Sequence, residues 1–119
     1  MFVLVADDSR VMRQIVIRTL RQAGYDWEII EASDGQEVYD MTLDQNPDLV
    51  LSDWNMPNAT GIEALNALRQ AGSQVPFGFI TSEGSEQMRK IADDAGALFL
   101  ISKPFTAESF KAALDPVLA

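Results

Sequence analysis

The sequence predicts an α/β fold in which five parallel strands alternate with five helices. Three observations support this prediction: short apolar runs recur along the chain, segments of helical period follow them, and polar residues close four of the runs. Continuous apolar runs of this length are typical of parallel strands that helices cover on both faces. The runs occupy residues 2–6, 27–31, 49–52, 77–81 and 98–102.

Helical periodicity is clearest after the first run. Apolar and small residues there form one stripe of a helix that ends at Gly24: Met12, Ile15, Val16, Thr19, Leu20 and Ala23. A second helix is predicted to begin at Ser33, which has capping-box spacing to Gln36, and to stop before Asn46-Pro47.

The remaining helices show the same signals. Thr60 and Glu63 form a second candidate capping box, at the start of a helix that ends near Gly72. A fourth helix ends at Gly96 and carries the stripe Met88, Ile91, Ala92 and Ala95; the fifth carries Phe110, Leu114 and Val117. Right-handed crossovers place helices on both faces of the sheet. No linker interrupts the pattern, so we expect one domain over residues 1–119.

Composition narrows the possible functions. The chain has neither His nor Cys, which excludes Ser-His-Asp and Cys-His catalysis, disulfides and the usual zinc sites. A formal net charge of -9 repels phosphate backbones and anionic lipid, so we expect no nucleic-acid or membrane partner. The apolar start of the chain is too short for a signal peptide and lacks a basic flank. These observations predict a cytoplasmic protein.

Five polar residues lie at the carboxyl ends of four predicted strands: Asp7, Asp8, Asp53, Thr81 and Lys103. In open parallel sheets, ligands bind outside these strand ends. Clustered carboxylates repel one another unless a cation offsets them, and an oxygen-only donor set favours Mg2+ over zinc. One carboxylate could then attack a phosphoryl donor, with Lys103 and Thr81 supplying hydrogen-bond donors.

Each of these residues also has an ordinary structural role available. Asp7-Asp8 or Ser9 could cap the first helix, and Asp53 could belong to a turn. Thr81-Ser82 could cap the fourth helix, and Lys103 could simply be solvated. Their joint placement at four strand ends of one sheet favours the functional interpretation.

Four separated motifs carry a resemblance to a known family: Asp7-Asp8, Asp53-Trp54-Asn55-Met56-Pro57-Asn58-Ala59-Thr60-Gly61, Thr81-Ser82-Glu83 and Lys103-Pro104-Phe105. Over essentially the whole chain, the sequence resembles the receiver domain of two-component response regulators, and in particular the single-domain chemotaxis (CheY-like) type. The resemblance implies a doubly wound, flavodoxin-like (βα)5 sheet with strand order 2-1-3-4-5.

The resemblance also implies roles for the acidic residues. Asp53 would accept a phosphoryl group from the phosphohistidine of a sensor histidine kinase or a histidine phosphotransfer protein. Asp8, Asp53 and the carbonyl of Asn55 would hold Mg2+, with Asp7 acting mainly through water. Such a protein is a signalling receiver rather than an enzyme, although it assists its own phosphorylation and dephosphorylation.

A switch is implied as well. Lys103 would pair with the acyl phosphate, and the Lys103-Pro104 bond would be cis. Thr81 would move to the phosphate together with loop 82–85, changing the surface of the fourth helix, fifth strand and fifth helix that binds a downstream protein. Asn55 and Glu83 would tune the dephosphorylation rate.

The chain departs from the family at one switch position. Leu100 stands three residues before Lys103, where the family usually has an aromatic residue, and strand alternation sends Phe99 to the other face. The coupled rotation of Thr81 and an aromatic ring is therefore not expected, and Leu100 could simply pack. Four basic residues give the first helix a local basic face: Arg10, Arg13, Arg18 and Arg21. The resemblance implies that this helix contacts the phosphodonor, but the basic residues could also simply form a solvated face.

Several alternatives remain open. A phosphatase of the haloacid-dehalogenase type would need Asp where Asn55 stands, and a flavin binder would need a phosphate cradle where Asp7-Asp8 stand. A receiver outside chemotaxis, or a receiver-like module that binds partners without phosphorylation, also fits. Since no output segment follows the fifth helix, we expect the protein to act by docking, unless the chain is a piece of a longer one.

Overall fold

A computed structural model of the protein describes residues 1–118, where strands and helices alternate. The strands are β1 Phe2–Ala6, β2 Glu28–Ala32, β3 Leu49–Ser52, β4 Phe77–Thr81 and β5 Phe99–Ser102. The helices are α1 Arg10–Gln22, α2 Gly35–Gln45, α3 Gly61–Gln70, α4 Glu86–Asp94 and α5 Ala107–Leu118. The predicted element order is confirmed; β2 and β5 each begin one residue later than predicted.

The strands form one parallel sheet in the order β2-β1-β3-β4-β5, which confirms the order that the resemblance implied. Val3 of β1 pairs with Ile29 of β2 on one side and with Leu49 of β3 on the other. Because all strands run the same way, their carboxyl ends meet at one edge of the sheet, which we call the carboxyl edge.

Helices cover both faces of this sheet. On one face, α1 and α5 pack against alternate strand residues in a core that contains Val16, Leu20, Phe110, Leu114, Val3, Val5, Leu51 and Ile101. On the other face, residues of α2, α3 and α4 join Leu4, Val50, Phe77 and Phe79. Val117 was predicted to belong to the apolar stripe of the fifth helix but is 38% exposed. It lies one turn beyond Leu114, the last residue of α5 in the core formed with α1.

The helix caps correct one prediction and confirm another. Asp34, not Ser33, caps α2: its side chain accepts the N–H of Glu37, while Ser33 donates to the Glu37 carboxylate. Ser33 therefore lies one residue outside the cap. Thr60 and Glu63 form the predicted capping box of α3.

Serine residues cap two other helices. Ser9 caps α1, which is one of its predicted ordinary roles. Ser85 caps α4, so the expectation that Thr81-Ser82 could do so is wrong. Every helix in residues 1–118 is too short or too polar to cross a membrane.

Candidate functional site

Three carboxylates meet at the carboxyl edge of the sheet. Asp7, Asp8 and Asp53 each offer an oxygen that lies within 4.8 Å of the other two. The register explains this proximity, because Ala6 pairs with Ser52 and the N–H of Asp53 donates to the Ala6 carbonyl at 2.9 Å. The prediction that these three side chains come within reach of one ion is confirmed.

The three carboxylates differ in burial and hydrogen bonding. Asp7 is buried, with 4% exposure, and its Oδ1 accepts the N–H of Ser9 at 2.9 Å. Asp53 is half-buried, and its Oδ1 accepts the N–H of Trp54 at 2.7 Å. Asp8 is exposed. The cluster thus combines two carboxylates held by the backbone with one that faces solvent.

Lys103 connects the two held carboxylates. Its Nζ lies 3.1 Å from Asp7 Oδ2 and 3.3 Å from Asp53 Oδ2. The backbone brings it there, because the N–H of Lys103 donates to the carbonyl of Thr81 at 2.8 Å. The Lys103-Pro104 bond is cis, as the resemblance implied.

Burial and charge together set the ionisation of Asp53. Burial raises the pKa of Asp53, the Lys103 ammonium lowers it in part, and the Asp7 carboxylate raises it again. Three carboxylates face one ammonium, so the cluster carries excess negative charge. All its donors are oxygen atoms, and the chain contains neither His nor Cys. This donor set fits a hard divalent cation such as Mg2+.

Thr81 and Asn55 flank the cluster. Thr81 is fully buried at the end of β4, and its hydroxyl accepts the N–H of Glu83 at 3.2 Å. Residues 82–85 after it are exposed. Asn55 is exposed in the loop after β3, whereas the next side chain, Met56, is buried in the core. The structure thus joins Asp7, Asp8, Asp53 and Lys103, with Thr81 and Asn55 in adjoining segments.

Two arginines that support this edge were not predicted. The Arg13 guanidinium donates to the Asp7 carbonyl at 2.7 Å and pairs with Glu31 at 2.8 Å. Arg13 is therefore committed to internal contacts rather than to the open basic face of α1. Neither partner is at helical spacing from Arg13, so the sequence carried no signal for these contacts.

Arg89 of α4 is the second arginine that supports the carboxyl edge, through contacts with β5. It donates to the carbonyl of Leu100 at 3.1 Å and to Ser102 Oγ at 3.3 Å. Leu100 itself is buried in the core that contains Phe79, while Phe99 packs on the opposite face. The predicted separation of Phe99 and Leu100 is confirmed, and Leu100 acts as a packing residue.

Comparison with known proteins agrees with this geometry. The family described as "Response regulator receiver domain" matches residues 3–115. The chain belongs to the response regulator receiver family. This match confirms the family prediction. Receivers are components of two-component signalling rather than enzymes in the ordinary sense.

Receivers of the chemotaxis type are similar over nearly their whole length. The chain is 36% identical over 121 residues to a "Chemotaxis protein CheY homolog" of Campylobacter jejuni, covering 99% of this chain and 92% of that protein. It is 37% identical over 122 residues to "Chemotaxis protein CheY1" of Helicobacter pylori, covering 99% and 97%. A solved structure of CheY4 from Vibrio cholerae has a TM-score of 0.84 at 34% identity, covering 98% of this chain and 97% of that one.

Proposed function

We propose that this receiver is switched by phosphorylation of Asp53. A sensor histidine kinase or a histidine phosphotransfer protein supplies the phosphoryl group from a phosphohistidine. The observation that carries the proposal is the carboxyl-edge cluster, in which oxygens of Asp7, Asp8 and Asp53 lie within 4.8 Å of one another and Lys103 pairs with two of the three.

Phosphoryl transfer mainly requires that the protein position the reacting groups and neutralise the charge on the phosphoryl oxygens. An Asp53 carboxylate oxygen forms a bond to phosphorus while the bond from phosphorus to the histidine nitrogen breaks, and the imidazole leaves. Asp8, Asp53 and the Asn55 carbonyl would hold Mg2+, with Asp7 acting mainly through water. Mg2+, when bound, neutralises charge on the phosphoryl oxygens. Lys103, already 3.3 Å from Asp53 Oδ2, pairs with the phosphoryl group.

Thr81 carries the signal away from the site. Its hydroxyl leaves the Glu83 N–H and donates to the new phosphate, so that residues 82–85 move with it. The changed surface of α4, β5 and α5 binds a downstream protein in the cytoplasm. The excess of acidic residues argues against nucleic acid and anionic lipid as partners. The names of the similar proteins make chemotaxis the first pathway to test.

Leu100 favours a second candidate function. A packed leucine cannot rotate with Thr81 as a surface aromatic ring could, which weakens the coupling between the phosphate and the docking surface. The second candidate is therefore a receiver-like module that binds its partner without phosphorylation.

Incubation with acetyl phosphate and Mg2+, followed by intact-mass measurement, separates the two candidates. We expect one phosphoryl adduct in the wild type and none in Asp53→Asn. Asp26→Asn, an exposed substitution with the same charge change at the far edge of the sheet, is the control and should be modified normally. An unmodified wild type that also forms no fluoroberyllate complex would leave the phosphorylation-independent module.

A further inference from the structure

The loop between β3 and α3 is held by the start of α2. Asn58 Nδ2 donates to Asp34 Oδ2 at 2.8 Å, and the N–H of Gly35 donates to the carbonyl of Ala59 at 3.0 Å. The loop contains Asn55 and follows Asp53 directly. Asp34 and Gly35 at the start of α2 therefore hold Asn58 and Ala59 of the loop.

The two carboxylate oxygens of Asp34 accept hydrogen bonds from two different segments. Oδ1 accepts the N–H of Glu37 at 2.8 Å and caps α2, while Oδ2 accepts the Asn58 amide. The N–H of Glu37 and the Asn58 amide, in that order, lower the pKa of Asp34. The helix cap therefore fixes the carboxylate in the orientation that Asn58 meets. We call this Asp34–Asn58 contact the loop bridge.

The backbone of the loop shows why such a contact is needed. Asn58 has φ of 66°, in the left-handed region that non-glycine residues seldom adopt. Gly35 has no space for a side chain, because a Cβ there would overlap the carbonyl of Ala59. Met56 anchors the loop in the core and the N–H of Gly61 donates to the Trp54 carbonyl at 2.8 Å. The loop bridge anchors the polar stretch between these points.

We propose that Asp34 and Asn58 are positioning residues for the magnesium site. The inference rests on the proposed function, because it takes the Asn55 carbonyl, three residues before Asn58, as a ligand. With the loop bridge intact the carbonyl is presented by an ordered loop. Without it, binding the ion has to order the loop, so affinity falls.

Asn58→Gly tests this idea without straining the backbone. Glycine accepts a positive φ at no steric cost, and the substitution leaves the charge of the protein unchanged. The matched control is Asn46→Gly, because Asn46 also has a positive φ, of 50°, but lies at the C-terminal end of α2, at the opposite edge of the sheet. Asp34→Ser is the second variant, since serine still caps the helix but is too short to reach Asn58.

The measurement is magnesium titration followed by Trp54 fluorescence. The N–H of Trp54 donates to Asp53 and its ring packs on Phe79 at 4.8 Å, so it reports on the site. We expect Asn58→Gly to weaken magnesium binding about tenfold, the lower end of the effect for groups that orient metal ligands. Asn46→Gly should stay within about twofold of wild type. The double variant Asp34→Ser/Asn58→Gly should lose no more than about twofold beyond Asp34→Ser alone.

The outcomes distinguish this inference from the proposed function. A wild type that does not bind magnesium overturns both. A wild type that binds, together with an unchanged Asn58→Gly, overturns only the positioning role. Equal losses in Asn58→Gly and Asn46→Gly, or additive losses in the double variant, also overturn it, because they would reflect general stability or unconnected effects. If Asn58→Gly does not fold, Asp34→Ser decides by the same titration, compared with Asp26→Asn, which removes one negative charge at an exposed position away from the site.

Discussion

Replacing Asp53 with Asn is expected to make the metal-free protein more stable at neutral pH. The substitution removes one charge from a cluster that holds three carboxylates and keeps the shape of the side chain. Asn can still accept the N–H of Trp54, and Lys103 keeps its pairing with Asp7 at 3.1 Å. The resulting change in the free energy of unfolding therefore measures what ionised Asp53 costs the stability of the folded protein.

The magnitude follows from the distances. At an effective dielectric constant of about 20, the Asp7 and Asp53 carboxylates, each with an oxygen within 4.8 Å of the other, repel by at least about 3.5 kcal/mol. The attraction of Lys103 at 3.3 Å returns about 5 kcal/mol. Exposed Asp8 adds a smaller, solvent-screened repulsion. These charge terms nearly cancel, so the cost of removing the carboxylate from water remains. We expect a gain of about 1–2 kcal/mol in the free energy of unfolding.

The pH dependence has a definite sign. Burial raises the pKa of folded Asp53 above its ordinary value of 3.8, so the folded state binds the proton more tightly than the unfolded state. The contribution of Asp53 to the stability of the wild type therefore rises as pH falls from the folded pKa toward 3.8. The advantage of Asp53→Asn is complete above the folded pKa and is lost as pH falls below 3.8.

Urea denaturation in chelator, followed by far-ultraviolet circular dichroism, measures the difference. Asp26→Asn changes the net charge equally at an exposed position and should have little effect. Magnesium should stabilise the wild type more than Asp53→Asn and so reduce or reverse the ranking. An Asp53→Asn protein that is no more stable than wild type in chelator at pH 7 would refute the reasoning.

Three further predictions concern residues around the site and the far edge of the sheet. Lys103→Met should cost about 3 kcal/mol at neutral pH, because Asp7 and Asp53 lose their shared cation, and urea titrations should show the loss shrinking on acidification; a pH-independent loss would contradict this. Gly61→Ala should cost about 1–3 kcal/mol, because its Cβ would meet the Asp53 carbonyl and, at 2.9 Å, the Phe79 ring. Gly72→Ala, which has open space but a φ of +89°, should lose less in the same assay, and the reverse ranking would contradict the packing argument. Burial and the hydrogen bond to Asp115 raise the pKa of Tyr25 to about 12, so this interaction stabilises the fold below pH 10 and is lost as pH rises through about 12. Phenolate absorbance should show that step in the wild type and lose it in Tyr25→Phe; an unchanged titration would refute the assignment.

Much of the fold was predictable because its signals are local. Continuous apolar runs identified the strands, and periodic stripes identified the helices to within one or two residues at most ends. Thr60 and Glu63 identified the start of α3 because both partners of the capping box lie within one turn. The strand order came from the resemblance, since local periodicity carries no information on which strands are neighbours.

The acidic site was predictable for a related reason. Parallel strands place their carboxyl ends together, so polar residues at four such ends had to share one edge. The unequal burial of Asp7 and Asp8 was not predictable, because it depends on the tertiary contacts of Asp7, among them its ion pair with Lys103. The cap of α2 was misassigned because Ser33 with Gln36 and Asp34 with Glu37 have the same spacing, and only the structure shows that Asp34 accepts the N–H of Glu37.

The sequence alone determined which segments are strands or helices and which residue types stand at the strand ends, because neighbouring residues fix the hydrophobic period and the turns. Tertiary packing alone decided that Lys103 joins Asp7 across 96 residues, that Arg13 holds the Asp7 carbonyl, and that Leu100 is buried. Those outcomes depend on distances between distant parts of the chain, which exist only once the helices have closed on the sheet.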